Sequence, residues 1–111
     1  MDELQNEVKK KVEQFDFNWS TYVQYIHLIE EVGELGEALT VHSGDRKAGE
    51  GTSALADHND PREEIGDVIF TTVAIANELG INLSEIMKVT FERYERKLAR
   101  LNSSIKSDTN H

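Results

Sequence analysis

The chain has 111 residues, 21 acidic side chains against 12 basic ones, a formal charge of -9 and no cysteine. One domain fits that length, with a core small enough that sharing burial through oligomerisation is expected. Disulfides and thiolate zinc sites are excluded, binding to nucleic acid is disfavoured because backbone affinity comes from Lys and Arg neutralising phosphates, and no apolar run approaches the roughly 18 residues a membrane span needs.

A soluble cytoplasmic protein is therefore expected, with no nucleic-acid or membrane partner. A single nucleotide remains compatible with the charge provided that bound cations stand between the acids and the phosphates. Any metal must be held by oxygen or imidazole.

Helix breakers are scarce, with one proline at Pro61, and the pattern is all-α. Leu4, Val8, Val12 and Phe15 make a narrow apolar stripe on a charged first helix over residues 2 to about 15. Ser20 is the candidate N-cap of a second helix reaching about His42, with Tyr22, Tyr25, Leu28, Val32, Leu35 and Leu39 recurring every three or four positions. Residues 43–60 hold three glycines and no sustained period, and read as a long loop. Asp60-Pro61 followed by Glu63 predicts a firm third helix start, with the look of a capping box. That helix should stop at Gly80, and Asn82 or Ser84 should open a fourth, striped by Leu83, Met87, Thr90, Phe91, Tyr94, Leu98 and Leu101. The expected architecture is a single four-helix bundle-like domain over 1–102, completed by oligomerisation, with helices two and three as its central antiparallel pair and 103–111 as a frayed tail.

The second and third helices carry the candidate chemistry. At about 100° per residue, Glu30, Glu31, Glu34 and Glu37 fall within about a third of the helix circumference, opposite the stripe of Tyr25, Leu28, Val32, Leu35 and Leu39. A solvated face balancing a core face would look the same. Two features point instead to an enclosed site. Val23, Ile26, Ala38 and Val41 bracket the acids where a solvated face would stay polar, and Glu63, Glu64 and Asp67 precede VIFTTVAIA, which is apolar nearly all round, as in a helix covered on both sides. Enclosed carboxylates without cationic side chains take up protons or bind metal, and Mg²⁺ or Mn²⁺ suits oxygen ligands. The i, i+3 pairs Glu31/Glu34 and Glu64/Asp67 let each helix offer two ligands one turn apart.

These motifs, EEVGELGEA and REEIGDV within residues 23–83, resemble the ExxE and ExxD pair of the MazG-like all-α nucleoside triphosphate pyrophosphohydrolases. The resemblance implies Mg²⁺-dependent cleavage between the α and β phosphates of a nucleoside triphosphate, yielding a monophosphate and pyrophosphate, in a homo-oligomer of two or four chains. It implies Glu31, Glu34, Glu64 and Asp67 as metal ligands, and Glu30, Glu37 and Glu63 as acids that support them or act as the base orienting water. A phosphoribosyl-ATP or dUTP-type hydrolase of the same superfamily, and a non-catalytic module binding metal or nucleotide, are the alternatives.

Further substrate contacts are expected from Trp19, which can stack on a base, Asn77, which can reach a sugar or cap the end of its helix, and Arg93 with Lys97, a basic pair on the fourth helix that can meet phosphate oxygens. The histidines at 27, 42, 58 and 111 share no metal-ligand spacing and read as structural or surface residues. No Glu-x-x-His motif or phosphate-cradling glycine loop is present.

Overall fold

Four helices form on local signals. In the computed structural model, which describes residues 1–16, 19–44 and 60–109 with side chains to Ile105, they are α1 (Asp2–Gln14), α2 (Thr21–His42), α3 (Pro61–Glu78) and α4 (Leu83–Thr109). The first turn of α1 carries Asp2 and Glu3, which suit the positive end of the helix dipole. Past its end Asp16 takes the left-handed φ of 54°, a conformation that cannot continue a right-handed helix. Ser20 caps α2, its Oγ accepting from the Val23 N–H at 3.3 Å. Asp60 caps α3 by accepting from the Arg62 N–H at 3.0 Å, and its carboxylate also meets the Arg62 guanidinium at 3.2 Å.

The α3–α4 junction is a Schellman turn. Gly80 has φ 68°, its N–H donates to the Asn77 carbonyl at 3.1 Å, and the Ile81 N–H donates to the Ala76 carbonyl at 2.9 Å. Of the two expected caps for α4, Asn82 is the one in use, its Oδ1 accepting from the Glu85 N–H at 3.1 Å. The expected frayed tail from residue 103 is instead helical to Thr109, because no Gly or Pro interrupts NSSIKSDT. The expected loop lies, from residue 45 to 59, outside the described residues.

The pair α2–α3 is the body of the molecule, and α1 also packs on α3. The early turns of α2 share a cavity with the late turns of α3, while Glu31 and Glu34 in mid-α2 meet Glu64 in the first turns of α3, so the pair is antiparallel. Four side chains of α3 are buried, Glu64, Thr71, Val73 and Ala76, and Glu64 meets the acids of α2. Coverage is incomplete, since Ile65 and Ile69 are each 46% exposed.

Within one chain the burial on α2 departs from its hydropathy. The buried line is Gln24, Glu31 and Ala38, seven residues apart, whereas Tyr25, Val32 and Leu39 from the apolar stripe are exposed. Of the four apolar residues bracketing the acids, Ala38 is fully buried, Val41 half-buried, and Val23 and Ile26 exposed. The reason is geometric: α3 lies along the Gln24–Glu31–Ala38 line, so Glu31 is covered and Tyr25, Val32 and Leu39 are not. Helix α4 carries this further. None of its residues to Ile105 is buried, and the molecule measures 58 × 39 × 23 Å.

Candidate metal centre

Three carboxylates converge where α2 faces α3. Glu31, Glu34 and Glu64 each offer an oxygen lying within 4.8 Å of the others. Glu31 and Glu64 are buried, at 8% and 3% exposure, and Glu34 is half-buried. Helical spacing does the positioning. Glu34 lies one turn past Glu31 on the covered side of α2, and Glu64 heads the line that Thr71 continues along α3.

The electrostatics show how enclosed this cluster is. Burial, followed by the charges of Glu34 and Asp67, pushes the Glu31 carboxyl up to about 7. The same two causes in the same order push Glu64 up to about 7. Among the described residues no Lys or Arg forms an ion pair with Glu31, Glu34 or Glu64. Oε2 of Glu31 and Oε2 of Glu64 are buried with no hydrogen-bond partner. A buried acceptor without a donor is costly in a fold that has only protein to offer it.

That donor set fits a divalent cation. It consists of hard oxygens, it is acidic on both helices, and its unsatisfied atoms are acceptors, which a cation satisfies and a second carboxylate does not. Asp67 is exposed and outside the tight trio, but it is near enough for its charge to act on both buried acids. Of the three remaining acids, Glu37 is half-buried on α2, while Glu30 and Glu63 are exposed. Glu30 Oε2 stands 4.0 Å from His27 Nδ1.

Beside the acids lies an open cavity of about 1080 Å³ bounded by α1, the start of α2 and the second half of α3. Its wall includes Trp19, Gln24, His27, Phe70, Thr71 and Asn77. Trp19 thus stands on the cavity at 41% exposure. Asn77 is there too, but its amide is engaged with α1: Gln5 Nε2 donates to Asn77 Oδ1 at 2.9 Å, and Asn77 Nδ2 donates to the Gln5 carbonyl at 3.0 Å. Arg93 and Lys97 are exposed on α4, and the structure does not bring them to the acids.

One residue at the site was read as structural or surface from sequence. His27 places Nε2 3.2 Å from Glu31 Oε1, with Trp19 edge-on against its ring. The available signal was its position one turn before Glu31, on the same face.

Comparison with known proteins agrees with the geometry. Residues 18–100 match the MazG nucleotide pyrophosphohydrolase domain. The uncharacterized protein YpjD of Bacillus subtilis is 35% identical over 86 residues, 77% of this chain and 74% of that protein, and YvdC of the same organism is 30% identical over 84 residues, covering 71% and 79%. The crystal structure of YpjD, described as a candidate pyrophosphatase, superposes with a TM-score of 0.69 at 30% identity over 85% of this chain and 91% of that one. That of iMazG from Vibrio DAT 722 gives 0.56 at 27% identity over 86% and 93%.

Proposed function

Because this chain belongs to the MazG family of nucleotide pyrophosphohydrolases, we propose that it hydrolyses a nucleoside or deoxynucleoside triphosphate between the α and β phosphates, using Mg²⁺ or Mn²⁺. Water adds to the α phosphorus, the bond from that phosphorus to the bridging oxygen breaks, and a nucleoside monophosphate and pyrophosphate leave. The observation that carries this reading is the trio Glu31, Glu34 and Glu64, with two buried oxygens lacking partners.

The chain's own residues divide the work. Glu31, Glu34 and Glu64, with Asp67 at the rim, hold the cation, which when bound neutralises charge on the phosphate oxygens. Glu37, the half-buried member of the three flanking acids, is the best situated to orient the attacking water, and Glu30 and Glu63 add negative charge at the edge. The cavity beside the cluster takes the nucleoside, with Trp19 available to stack on the base.

Homo-oligomerisation belongs to the same proposal. Phe91, Tyr94, Leu98, Leu101 and Ile105 on α4 are all 52–60% exposed, a run of large apolar groups that a second copy would cover. Assembly would also give Arg93 and Lys97 the opportunity to approach the phosphates of a neighbouring site. Removal of surplus or modified nucleotides in the cytoplasm is the role such an enzyme would serve.

The test is pyrophosphate release from a panel of common and modified NTPs and dNTPs, with phosphoribosyl-ATP and dUTP included, in Mg²⁺, in Mn²⁺ and in chelator. Metal-dependent release is expected. No turnover of any triphosphate with either metal would sink the enzymatic reading and leave a binding module.

A further inference from the structure

His27 is the one basic side chain among the described residues that touches the buried acids. His27 Nε2 stands 3.2 Å from Glu31 Oε1, within reach of an ion pair or of a donated N–H. The contact makes the two oxygens of Glu31 unequal: Oε1 faces the imidazole, and Oε2 is buried without a hydrogen-bond partner. The imidazole is itself held. Trp19 meets it edge-on, with ring centroids 5.2 Å apart and planes at 79°. Gln24, buried on the next turn back, donates Nε2 to the Trp19 carbonyl at 3.0 Å, tying the residue that carries the indole to the helix that carries the imidazole.

We propose that His27 is a positioning residue for the cation site, its Nε2–H fixing the Glu31 carboxylate so that one oxygen stays free for a divalent cation. The inference rests on reading Glu31, Glu34 and Glu64 as the cation-holding trio. Histidine suits the task better than the longer cations. A Lys or Arg at this point would bring a permanent positive charge that competes with the metal for Glu31, whereas an imidazole has an N–H to offer and need not carry a charge to do so. Without a donor, Glu31 would be free to rotate away from the like charges of Glu34 and Asp67. Hydrogen bonds that orient a ligating carboxylate are typically worth about 10- to 100-fold in metal affinity.

The experiment measures Mn²⁺ affinity of the full chain by electron paramagnetic resonance, beside His27→Phe, which keeps a ring against Trp19 without a donor, and His27→Gln, which keeps a donor. Helix content and melting temperature are followed for each. Mn²⁺ binding by His27→Phe should weaken about 10- to 100-fold, with His27→Gln restored toward wild type. The Mn²⁺ concentration for half-maximal turnover should rise in parallel, while KM for the triphosphate at saturating Mn²⁺ holds. Wild-type affinity in His27→Phe would overturn the inference alone, and so would equal weakening in His27→Gln. A wild-type chain that binds Mn²⁺ no better than Glu64→Gln would overturn the trio as a cation site, and the inference with it.

Discussion

The antiparallel pair α2–α3 and the helix α4 have opposite relations between sequence and burial. In the pair, Glu31 and Glu64 are inside while Tyr25 and Val32 are outside. In α4, charged and apolar faces alike are open, and Leu98 is as exposed as Tyr94. Neither arrangement minimises the free energy of a lone chain. Enclosing like-charged carboxylates raises it, and leaving large apolar side chains in water forgoes roughly 1.5–3 kcal/mol each. On the function proposed above, the enclosed acids are where a cation would sit and the open apolar groups are where a second copy would pack.

The largest effect should come from breaking the first half of that contrast. Glu34→Gln or Asp67→Asn should lower turnover by about 10³-fold or more, since several kcal/mol of charge stabilisation are at stake. Each should leave the metal-free fold no less stable, because a repulsive charge is removed. Thermal melts in chelator decide the point, and a large loss of apo stability would show these acids to be structural.

The pH dependence sharpens the same point. Glu31 and Glu64 titrate near 7 in the fold against an ordinary 4.5, so the folded chain holds their protons more tightly than the unfolded one. Their contribution to metal-free stability is complete below about pH 4.5 and is lost as pH rises to about 7, by at most about 3 kcal/mol for each group. Mn²⁺, which needs the ionised carboxylates, should stabilise progressively more across that window. Melting curves from pH 5 to 8 with and without Mn²⁺ test this, and the slope should flatten when Glu31→Gln and Glu64→Gln are combined.

How much of this was legible in the sequence depends on the range of the interaction. Helix ends at Ser20, Asp60 and Gly80 follow from capping chemistry within a few residues, and the acids share a face by helical period alone. Which face of α2 is covered was not legible from its hydropathy. The stripe through Tyr25, Val32 and Leu39 is the more apolar, yet α3 lies along Gln24, Glu31 and Ala38. The apolar character of α3 was the better guide, because a helix with no polar face must be covered from more than one side. His27 was passed over because a lone imidazole gains meaning only once Glu31 is known to be buried.

The second half of the contrast is tested on α4. If the chain assembles as proposed, Leu98→Glu puts a charge into the exposed stripe and should dissociate the homo-oligomer, read as a fall in mass by light scattering, with little effect on the fold because Leu98 is 59% exposed. A wild-type mass of one chain, or a mass unchanged by the substitution, would overturn the stripe as an interface between copies.

The smallest effect concerns the residue that joins the two regions. Gln5 on α1 spends its whole amide on them: Nε2 donates to Asn77 Oδ1 at 2.9 Å and to the Ile81 carbonyl at 2.8 Å, and Oε1 accepts from the Leu83 N–H at 2.9 Å. These partners lie 72 to 78 positions away, and nothing in the local pattern around Gln5 announces them. The first belongs to α3, the last opens α4, and the Ile81 carbonyl sits in the turn between, so one side chain fixes the direction in which α4 leaves the pair. Gln5→Ala removes all three bonds and leaves the Asn77 Oδ1 and the Leu83 N–H to find water, at a cost of about 1–3 kcal/mol. For a domain near this size each kcal/mol lowers the melting temperature by about 4–8 °C. Mn²⁺ affinity should hold, since Gln5 touches none of the acids. An unchanged melting temperature would show instead that the Schellman turn at Gly80 sets the course of α4 without help from α1.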